Sequence, residues 1–253
     1  MNKISILGSD INVINLYRKV YEQLLSFLER NDKPGYVTVN NVHTIVTAVR
    51  DKKYRQIIND SFLSLPDGKP LSVVAKLKGE KNIVRIFGPT FFEKTIEWGQ
   101  KNGIKHFLFG STERIQQRMI ENIKLKYPNS KIAGNLAPPF RNFTDAENEE
   151  FIEKINISNA DLIWISLGAP KQEKWMYNNY SKLKHGVMVG IGAGFNYLAG
   201  DLKHAPAWMK KYSLEWLYRF FQEPNRLWKR YLLTNTLFIY YVILDFFKIK
   251  RFN

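Results

Sequence analysis

The sequence predicts an α/β fold with a mostly parallel, Rossmann-like sheet and helices on both faces. Short apolar runs alternate with segments of helical periodicity from Ile83 to Gly192, which is typical of parallel strands joined by helices. The run from Leu162 to Leu167 is interrupted only by Ser166, as in a strand buried on both faces. Strand-like runs stop near residue 200. We therefore expect an α/β domain over residues 1–202 and a helical appendage over residues 203–253.

Each element is predicted from its apolar spacing and from the glycine, proline and polar residues that bound it. The predicted strands are Ile4 to Leu7, Tyr36 to Asn40, Phe62 to Leu65, Ile83 to Phe87, His106 to Phe109, Lys131 to Gly134, Leu162 to Leu167 and Val187 to Gly192. The predicted helices are Asn12 to Leu28, Val42 to Arg50, Leu71 to Leu77, a helix that follows Gly88-Pro89 and ends near Asn102-Gly103, Thr112 to Tyr127, Thr144 to Ile155, a helix from Pro170, and Pro206 to Phe247 with a break at Glu223-Pro224.

Composition restricts the class of protein. The chain has 253 residues and no cysteine, which excludes disulfides, thiolate metal ligands and cysteine nucleophiles and fits a reducing cytoplasm. The N-terminus is too quickly polar for a secretory signal, and no apolar run approaches the ~20 residues that span a bilayer. Lys and Arg number 38 against 23 acidic residues, a net charge of +15. This charge predicts an acidic partner: nucleic acid, an anionic membrane surface or phosphorylated substrates.

Small and polar residues concentrate where the predicted strands end. Ligands of open α/β sheets bind at the carboxyl ends of the parallel strands, so these residues are candidates for a binding site. They are Thr38, Asn40, Asp67, Gly110, Ser111, Pro138, Pro139, Gly168 to Gln172, and Gly190 to Asn196. Glycine and proline are also common in any loop of this kind, so ordinary loop structure explains part of the pattern.

The stretch from Ala160 to Met176 reads as a buried strand, a tight turn at Gly168 and a helix with Pro170 in its first position. The free N–H groups at such a helix start favour anions, and Lys171 and Gln172 stand where a ligand would be. The alternative is an ordinary strand-to-helix connection.

Asp67 is the only acidic residue among these strand ends. A carboxylate in a cleft can serve as the general base that accepts a proton from a substrate hydroxyl. Pro66-Asp67-Gly68 is equally ordinary turn chemistry, so the local sequence leaves both interpretations open.

Several common sites are excluded or disfavoured. The glycines of Gly190 to Gly194 do not complete a dinucleotide fingerprint, because Phe195 stands at the third glycine and no strand follows. There is no Asp-x-Asp pair for a metal and no Gly-x-Ser-x-Gly nucleophile elbow. The histidines lack ligand spacing; they are His43, His106, His185 and His204. We expect no cofactor and no bound metal.

The C-terminal segment interleaves aromatic and basic residues from Leu214 to Tyr231. Guanidinium groups suit the oxygens of a diphosphate, and Arg219, Arg226 and Arg230 are the candidates; a solvated basic face is the alternative. The apolar run from Leu237 to Leu244, followed by further basic residues, indicates either a membrane-surface helix or an oligomer interface.

Taken together, these motifs resemble the WecG/TagA/CpsF family of bacterial glycosyltransferases. The resemblance runs from the first strand to about Tyr231. It rests on Leu167 to Glu173, on Gly192 to Asn196 with Leu198 to Gly200, on Ala205-Pro206 with Leu214 to Arg219, and on Glu223 to Arg226.

The resemblance implies inverting, metal-independent transfer of a sugar, of the N-acetylmannosamine type or a related hexose. The implied donor is a UDP-sugar, and the implied acceptor is a polyprenyl-diphosphate-linked sugar in bacterial cell-surface polysaccharide synthesis. Asp67 falls at the proposed catalytic base of the family. Thr38, Arg85 and Gln172 fall at residues of its substrate pocket. Arg219, Arg226 and Lys229 fall where the family's appendage supplies basic residues to the active site. The implied location is the cytoplasmic face of the cell membrane, as a peripheral protein.

Two positions depart from the family pattern. Thr90 stands where an acidic residue is usual, and Asn196 replaces an aspartate. These departures put the donor in doubt, and they leave a catalytically impaired membrane-bound or oligomeric scaffold of the same fold as the alternative. A homo-oligomer is compatible with either reading. A nucleic-acid partner is suggested by charge alone, and we do not expect one, because the aromatic-basic cluster adjoins a long apolar helix better suited to lipid.

The candidate site therefore has Asp67 as its catalytic residue. The substrate-binding candidates are Thr38, Asn40, Arg85, Gly110, Ser111, Pro139, Gly168, Lys171, Gln172, Gly192, Asn196, Arg219, Arg226, Lys229 and Arg230.

Overall fold

Six parallel strands form the centre of the molecule, as the sequence predicts. The computed structural model describes residues 2–30, 33–212 and 214–252. The strands of the main sheet are β3 (Gly35–Asn40), β4 (Leu63–Pro66), β5 (Lys105–Gly110), β6 (Lys131–Leu136), β7 (Leu162–Ser166) and β8 (Val187–Gly190). Their order is β4-β3-β8-β7-β5-β6, with every adjacent pair parallel. All carboxyl ends therefore meet at one edge of the sheet.

Helices cover both faces of this sheet and continue to the C-terminus. In the described part of the chain they are α1 (Tyr17–Arg30), α2 (Val42–Arg50), α3 (Lys52–Asn59), α4 (Lys69–Leu77), α5 (Gly88–Asn102), α6 (Glu113–Lys126), α7 (Asp145–Ser158), α8 (Lys171–Asn179), α9 (Gly194–Leu198), α10 (Ala207–Lys211), α11 (Glu215–Gln222) and α12 (Pro224–Phe246). Within these described residues, no helix combines the length and apolarity that a membrane crossing requires.

Alternation along the strands divides the core into two layers. Leu162 and Trp164 of β7 face one layer, where Trp164 packs against Phe91 and Phe92 of α5. Ile163 and Ile165 face the other layer, where Phe109 stacks on Trp175 of α8 with ring centroids 4.5 Å apart. Both layers are buried, which explains the near-continuous apolar sequence of β7.

The start of the chain differs from the prediction. The first strand, β1 (Lys3–Ile6), pairs antiparallel with β2 (Ser9–Asn12) in a separate two-stranded sheet. The helix predicted from Asn12 begins only at Tyr17, because Asn12 belongs to β2 and its Oδ1 accepts a hydrogen bond from the N–H of Ser64. The hairpin thus lies beside β4.

The strand predicted from Ile83 to Phe87 is wrong. This segment is extended, but it makes isolated backbone hydrogen bonds, from the N–H of Val84 to Ile14 and from the N–H of Ile86 to Pro66. Ile83 and Ile86 are fully buried. The apolar pattern therefore predicts the burial of this segment correctly, but it does not predict the backbone hydrogen bonding.

A third apolar cluster joins the two ends of the described chain. It combines the hairpin, α2 and α4 with Phe238 of α12 and with Phe252. Lys78 Nζ of α4 also lies 2.6 Å from Asp245 Oδ2 of α12. Helix α12 is therefore held along α2, and this packing positions its N-terminal half at the carboxyl edge of the sheet.

Candidate active site

Asp67 lies directly after β4, at the carboxyl edge of the sheet. Its N–H donates to the carbonyl oxygen of Asn40 over 2.7 Å, which ties the end of β4 to the end of β3. The backbone of Gly88, the first residue of α5, donates a hydrogen bond to the carboxylate. The side chain is 20% exposed. The carboxylate is thus fixed by backbone contacts and keeps some access to solvent.

Arg85 holds this carboxylate from the side. Its Nε donates to the carbonyl oxygen of Asp67, and its Nη2 lies 3.6 Å from Asp67 Oδ1. Oδ1 is buried without a hydrogen bond from any described residue. Burial raises the pKa of the Asp67 carboxyl, while Arg85 and the Gly88 backbone oppose that rise. A raised pKa is the direction that a general base requires at neutral pH.

Helix α11 places one acidic and one basic side chain beside Asp67 and Arg85. Glu215 pairs with Nη1 of Arg85, so Arg85 lies between two carboxylates. Arg219, one turn later, stands over the ring of Tyr197 at 5.2 Å and pairs with Glu223 at 2.5 Å. The Arg219 side chain is only 12% exposed, and its Nη1 is buried with no hydrogen-bond acceptor among the described residues. This guanidinium therefore has donor capacity left for an anion.

Gln172 joins the ends of β7 and β8. Its Oε1 accepts from the N–H of Gly192 over 3.0 Å, and its Nε2 donates to Glu173 Oε1 over 2.6 Å. Gln172 is 3% exposed and Glu173 is fully buried. Gly190 leaves little space beneath them, since a Cβ there would lie 2.8 Å from Met176 Cε and 3.1 Å from Gln172 Nε2, and the ends of these side chains would have to shift.

Arg230 of α12 enters the space beside Glu173. Its Nε is buried without an acceptor among the described residues. Burial lowers the pKa of the Arg230 guanidinium, and Arg226 and Arg219 lower it further, against the opposing effects of Tyr231 and Glu173. Burial raises the pKa of the Glu173 carboxyl, and Arg230 opposes that rise. We call His43, Tyr54, Gln172, Glu173 and Arg230 the Glu173 cluster.

The structure brings part of the predicted site together and leaves part of it apart. Asp67, Arg85 and Arg219 share one region, and Arg230 interacts electrostatically with both Asp67 and Glu173. Gly110 is the last residue of β5, Ser111 follows it, and Pro139 lies beyond the end of β6. These strands are four and five positions from β4, about 19 and 24 Å at ~4.8 Å per strand. The substrate-binding roles assigned to these three residues stay predictions.

Two predicted pocket residues are buried beneath the site. Thr38 is fully buried, and its Oγ1 accepts from Asn40 Nδ2 over 2.9 Å. The same Nδ2 lies 3.0 Å from Ser64 Oγ. Both side chains therefore brace β3 against β4 in the structure, below the Asp67 backbone.

Other predicted residues are placed as follows. Lys171 Nζ donates to the Arg141 carbonyl over 2.6 Å and stands 4.2 Å from the centroid of the Phe143 ring. Arg226 is 58% exposed beside Glu223, and the exposed Lys229 stands over Trp228. The contacts of Lys171 and Lys229 lie outside the Asp67 region and the Glu173 cluster, whereas Arg226 shares Glu223 with Arg219.

Two further candidates lie in the loops and short helices around these residues. Gly168 has a φ of +78° in the turn before α8, and Pro170 caps that helix without being its first residue. Asn196 is half-buried in α9, next to Tyr197.

Sequence reasoning missed several residues of the site: Glu215, Tyr197, His43, Tyr54 and Glu173. Glu173 directly follows the predicted residue Gln172, Tyr197 directly follows the predicted residue Asn196, and His43 lies three positions after the end of β3. The available signal is therefore adjacency to a predicted residue for Glu173 and Tyr197, and a place just after a strand end for His43. Among the described residues, no group of three or more acidic or histidine side chains could hold a metal ion.

The sequence profile of the Glycosyl transferase WecG/TagA/CpsF family matches residues 4–252, and the chain belongs to that family.

Curated relatives extend over most of the chain. N-acetylglucosaminyldiphosphoundecaprenol N-acetyl-beta-D-mannosaminyltransferase of Bacillus subtilis (strain 168) is 29% identical over 223 residues, 84% of each chain. The protein of the same name from Bacillus spizizenii is 27% identical over 82% of this chain and 78% of its own length. That of Staphylococcus aureus (strain MW2) is 25% identical over 90% of this chain and 86% of its own.

Proposed function

We propose that the chain transfers a sugar of the N-acetylmannosamine type, or a related hexose, from a UDP donor to a polyprenyl-diphosphate-linked sugar. The observation that carries this proposal is Asp67: a buried carboxylate at a strand end, with the buried guanidinium groups of Arg219 and Arg230 nearby. The named relatives act on a diphosphoundecaprenol-linked N-acetylglucosamine, which supports the acceptor class.

The proposed reaction is a single displacement with inversion. Asp67 accepts the proton of the acceptor hydroxyl, whose oxygen attacks the anomeric carbon on the face opposite the diphosphate. The bond from the anomeric carbon to the phosphate oxygen breaks, and its electron pair stays on the departing UDP. Arg219 and Arg230 then offset the developing negative charge at fixed positions, without a metal ion.

Acceptor-dependent release of UDP by the purified full-length chain tests this proposal. We expect release with UDP-N-acetylmannosamine or a related UDP-hexose when a short-chain prenyl-diphosphate-linked N-acetylglucosamine is present, and an unchanged rate with a chelator. The anomeric configuration of the product, read by NMR, reports inversion. A chain that binds UDP yet releases none with any donor would fit the scaffold alternative and would contradict the enzyme proposal.

We also propose that α11 and α12 lie on an anionic membrane surface at the cytoplasmic face. One side of α12 is packed through Phe238, while large apolar side chains on its other side are exposed: Leu232, Leu233, Ile239, Tyr240, Ile243, Phe246 and Phe247. Exposed basic residues flank them, namely Arg226, Lys229, Lys248, Lys250 and Arg251. An apolar face with basic flanks suits the interface of an anionic bilayer.

Flotation with vesicles checks this surface. The triple substitution Ile243→Ser, Phe246→Ser and Phe247→Ser should reduce the fraction floating with anionic vesicles at least tenfold, because it removes exposed apolar area only. Leu125→Ser with Ile157→Ser, at exposed positions on α6 and α7, is the matched control and should float like the parent chain. Equal flotation of the triple variant and the parent chain would contradict the proposal that α12 lies on the membrane.

A further inference from the structure

His43 lies where four elements meet at the carboxyl edge of the sheet. It is the second residue of α2, which packs against α3, α12 and the end of β3. Its imidazole is hydrogen-bonded to the backbone of Ala169 in the turn before α8. Its Nδ1 is buried, and no described residue provides a hydrogen bond to it. One ring nitrogen is therefore fixed by the protein and the other is available.

Arg230 links His43 to further ionisable groups. Arg230 reaches it from α12, Tyr54 lies on α3, and Glu173 on α8 faces both Tyr54 and Arg230. Asp67, at the end of β4, interacts with Arg230.

Two buried guanidinium donors of this region lack acceptors. Arg230 Nε and Arg219 Nη1 have none among the described residues, and the two side chains interact with each other electrostatically. A buried charged donor without an acceptor is unfavourable, so an anion bound beside these groups would be stabilised by them.

On the basis of the glycosyl transfer proposed above, we propose that His43 and Arg230 bind the diphosphate of a substrate, and that His43 takes up a proton together with it. His43 lies outside the predicted site, and its role is positioning and charge balancing. The ligand is a diphosphate group, which both the proposed donor and the proposed lipid acceptor carry.

Proton uptake follows from the surroundings of the imidazole. Burial and the neighbouring Arg230 lower the pKa of His43 to about 4, so the ring is neutral at pH 7 when no anion is bound. A diphosphate beside the ring supplies negative charge and an acceptor for an Nδ1–H donor, and both effects raise the pKa of His43. The imidazolium then faces the phosphate oxygens.

The charges balance through the reaction. The acceptor proton passes to Asp67, and the electron pair of the broken carbon–oxygen bond stays on the phosphate oxygen. The proton on His43 came from solvent when the diphosphate bound, and it returns to solvent when UDP leaves. His43 thus lowers the energy of the charged product without being consumed.

Calorimetric titration with UDP at pH 7, in buffers of different ionisation enthalpy, counts the protons taken up. We expect the parent chain to take up close to one proton more than His43→Gln, which keeps an amide donor but cannot be protonated. The ratio of the variant's Kd to the parent's Kd should rise at least tenfold from pH 8 to pH 6. Titration of UDP itself, whose phosphate has a pKa near 6, is common to both chains and cancels in the ratio.

Uridine and a short-chain prenyl-diphosphate-linked sugar separate the sources of the ligand. Uridine should show no proton uptake, since it carries no phosphate. Uptake with the prenyl diphosphate instead of UDP would assign the subsite to the acceptor.

Equal proton counts for the parent chain and His43→Gln would overturn the inference. Binding of both diphosphates by the parent without proton uptake would overturn it as well, and that measurement needs no variant. Absence of UDP binding by the parent chain would reject the UDP donor, which is a failure of the proposed function.

Discussion

Asp67→Asn is expected to lower kcat for sugar transfer by about 10²- to 10⁴-fold, the usual contribution of a general base. The amide occupies nearly the same volume and still accepts from the Gly88 backbone, so the chain should remain folded. It cannot accept the proton of the acceptor hydroxyl. In the parent chain the rate should fall as pH falls through the raised pKa of Asp67, because only the ionised carboxylate can act as a base.

Acceptor-dependent UDP release measures this effect, with a thermal melt to confirm folding. Asp245→Asn is the matched control. Asp245 is 19% exposed, close to the 20% of Asp67, and it also pairs with a cation, Lys78, but in the cluster that holds α12. Its substitution should leave kcat within about twofold, since surface ion pairs contribute ~0–1 kcal/mol. Transfer by Asp67→Asn at the parental rate would exclude Asp67 as the base.

Gly110→Ala should be among the most destabilising single changes in the sheet. Gly110 has a φ of +120°, and a Cβ there would lie 2.4 Å from the carbonyl oxygen of Ser166, which accepts the N–H of Ser111. Backbone, not a flexible side chain, blocks the position. We expect a loss of about 3 kcal/mol or more in the free energy of unfolding, which lowers Tm by roughly 6–12 °C in a chain of this size.

Denaturant unfolding of Gly168→Ala provides the comparison. Gly168 also has a positive φ, +78°, but a Cβ there would meet no atom within 4 Å. Only the conformational cost of about 1–2 kcal/mol should remain. If both variants lose the same stability, the close approach of β5 to β7 is not what requires glycine at position 110.

The parallel sheet could be predicted because strands buried on both faces have a recognisable apolar pattern within their own sequence. The unbroken apolar run of β7 and the glycine turn at its end are examples. The segment from Ile83 to Phe87 has the same apolar pattern but is not a strand. Its backbone hydrogen bonding depends on where the N-terminal hairpin lies against β4. That arrangement is non-local, and no pattern inside the segment reports it. The domain boundary expected at residues 202 and 203 stays a prediction.

The sequence identifies a candidate residue where a chemically suitable side chain coincides with a strand end, as at Asp67, and its catalytic role stays a prediction. The site was not predictable where a distant helix supplies the partner, as Glu215 does for Arg85. The rotation of α12 about its own axis, which decides which of its residues are buried, could be predicted only in part. Leu227 and Phe238 are buried, and Arg230 lies three positions after Leu227 at the border of their stripe, whereas the exposed Lys229 lies on the opposite side of the helix. The sequence names Arg226, Lys229 and Arg230 as candidates alike, and only the packed helix shows that Arg230 is the more buried of the three.

The cluster that joins the two ends of the described chain also sets an order of assembly. Its early members, such as Ile6 and Ile45, and its late members, Phe238 and Phe252, are separated by most of the sequence. Contacts of such separation cost the most chain entropy and can form only after the late segment has left the ribosome. In a growing chain the residues of the sheet and Asp67 therefore emerge before Arg219 and Arg230. On this order, nascent chains would hold the base before its counter-charges, and the capacity to bind a diphosphate would arise last.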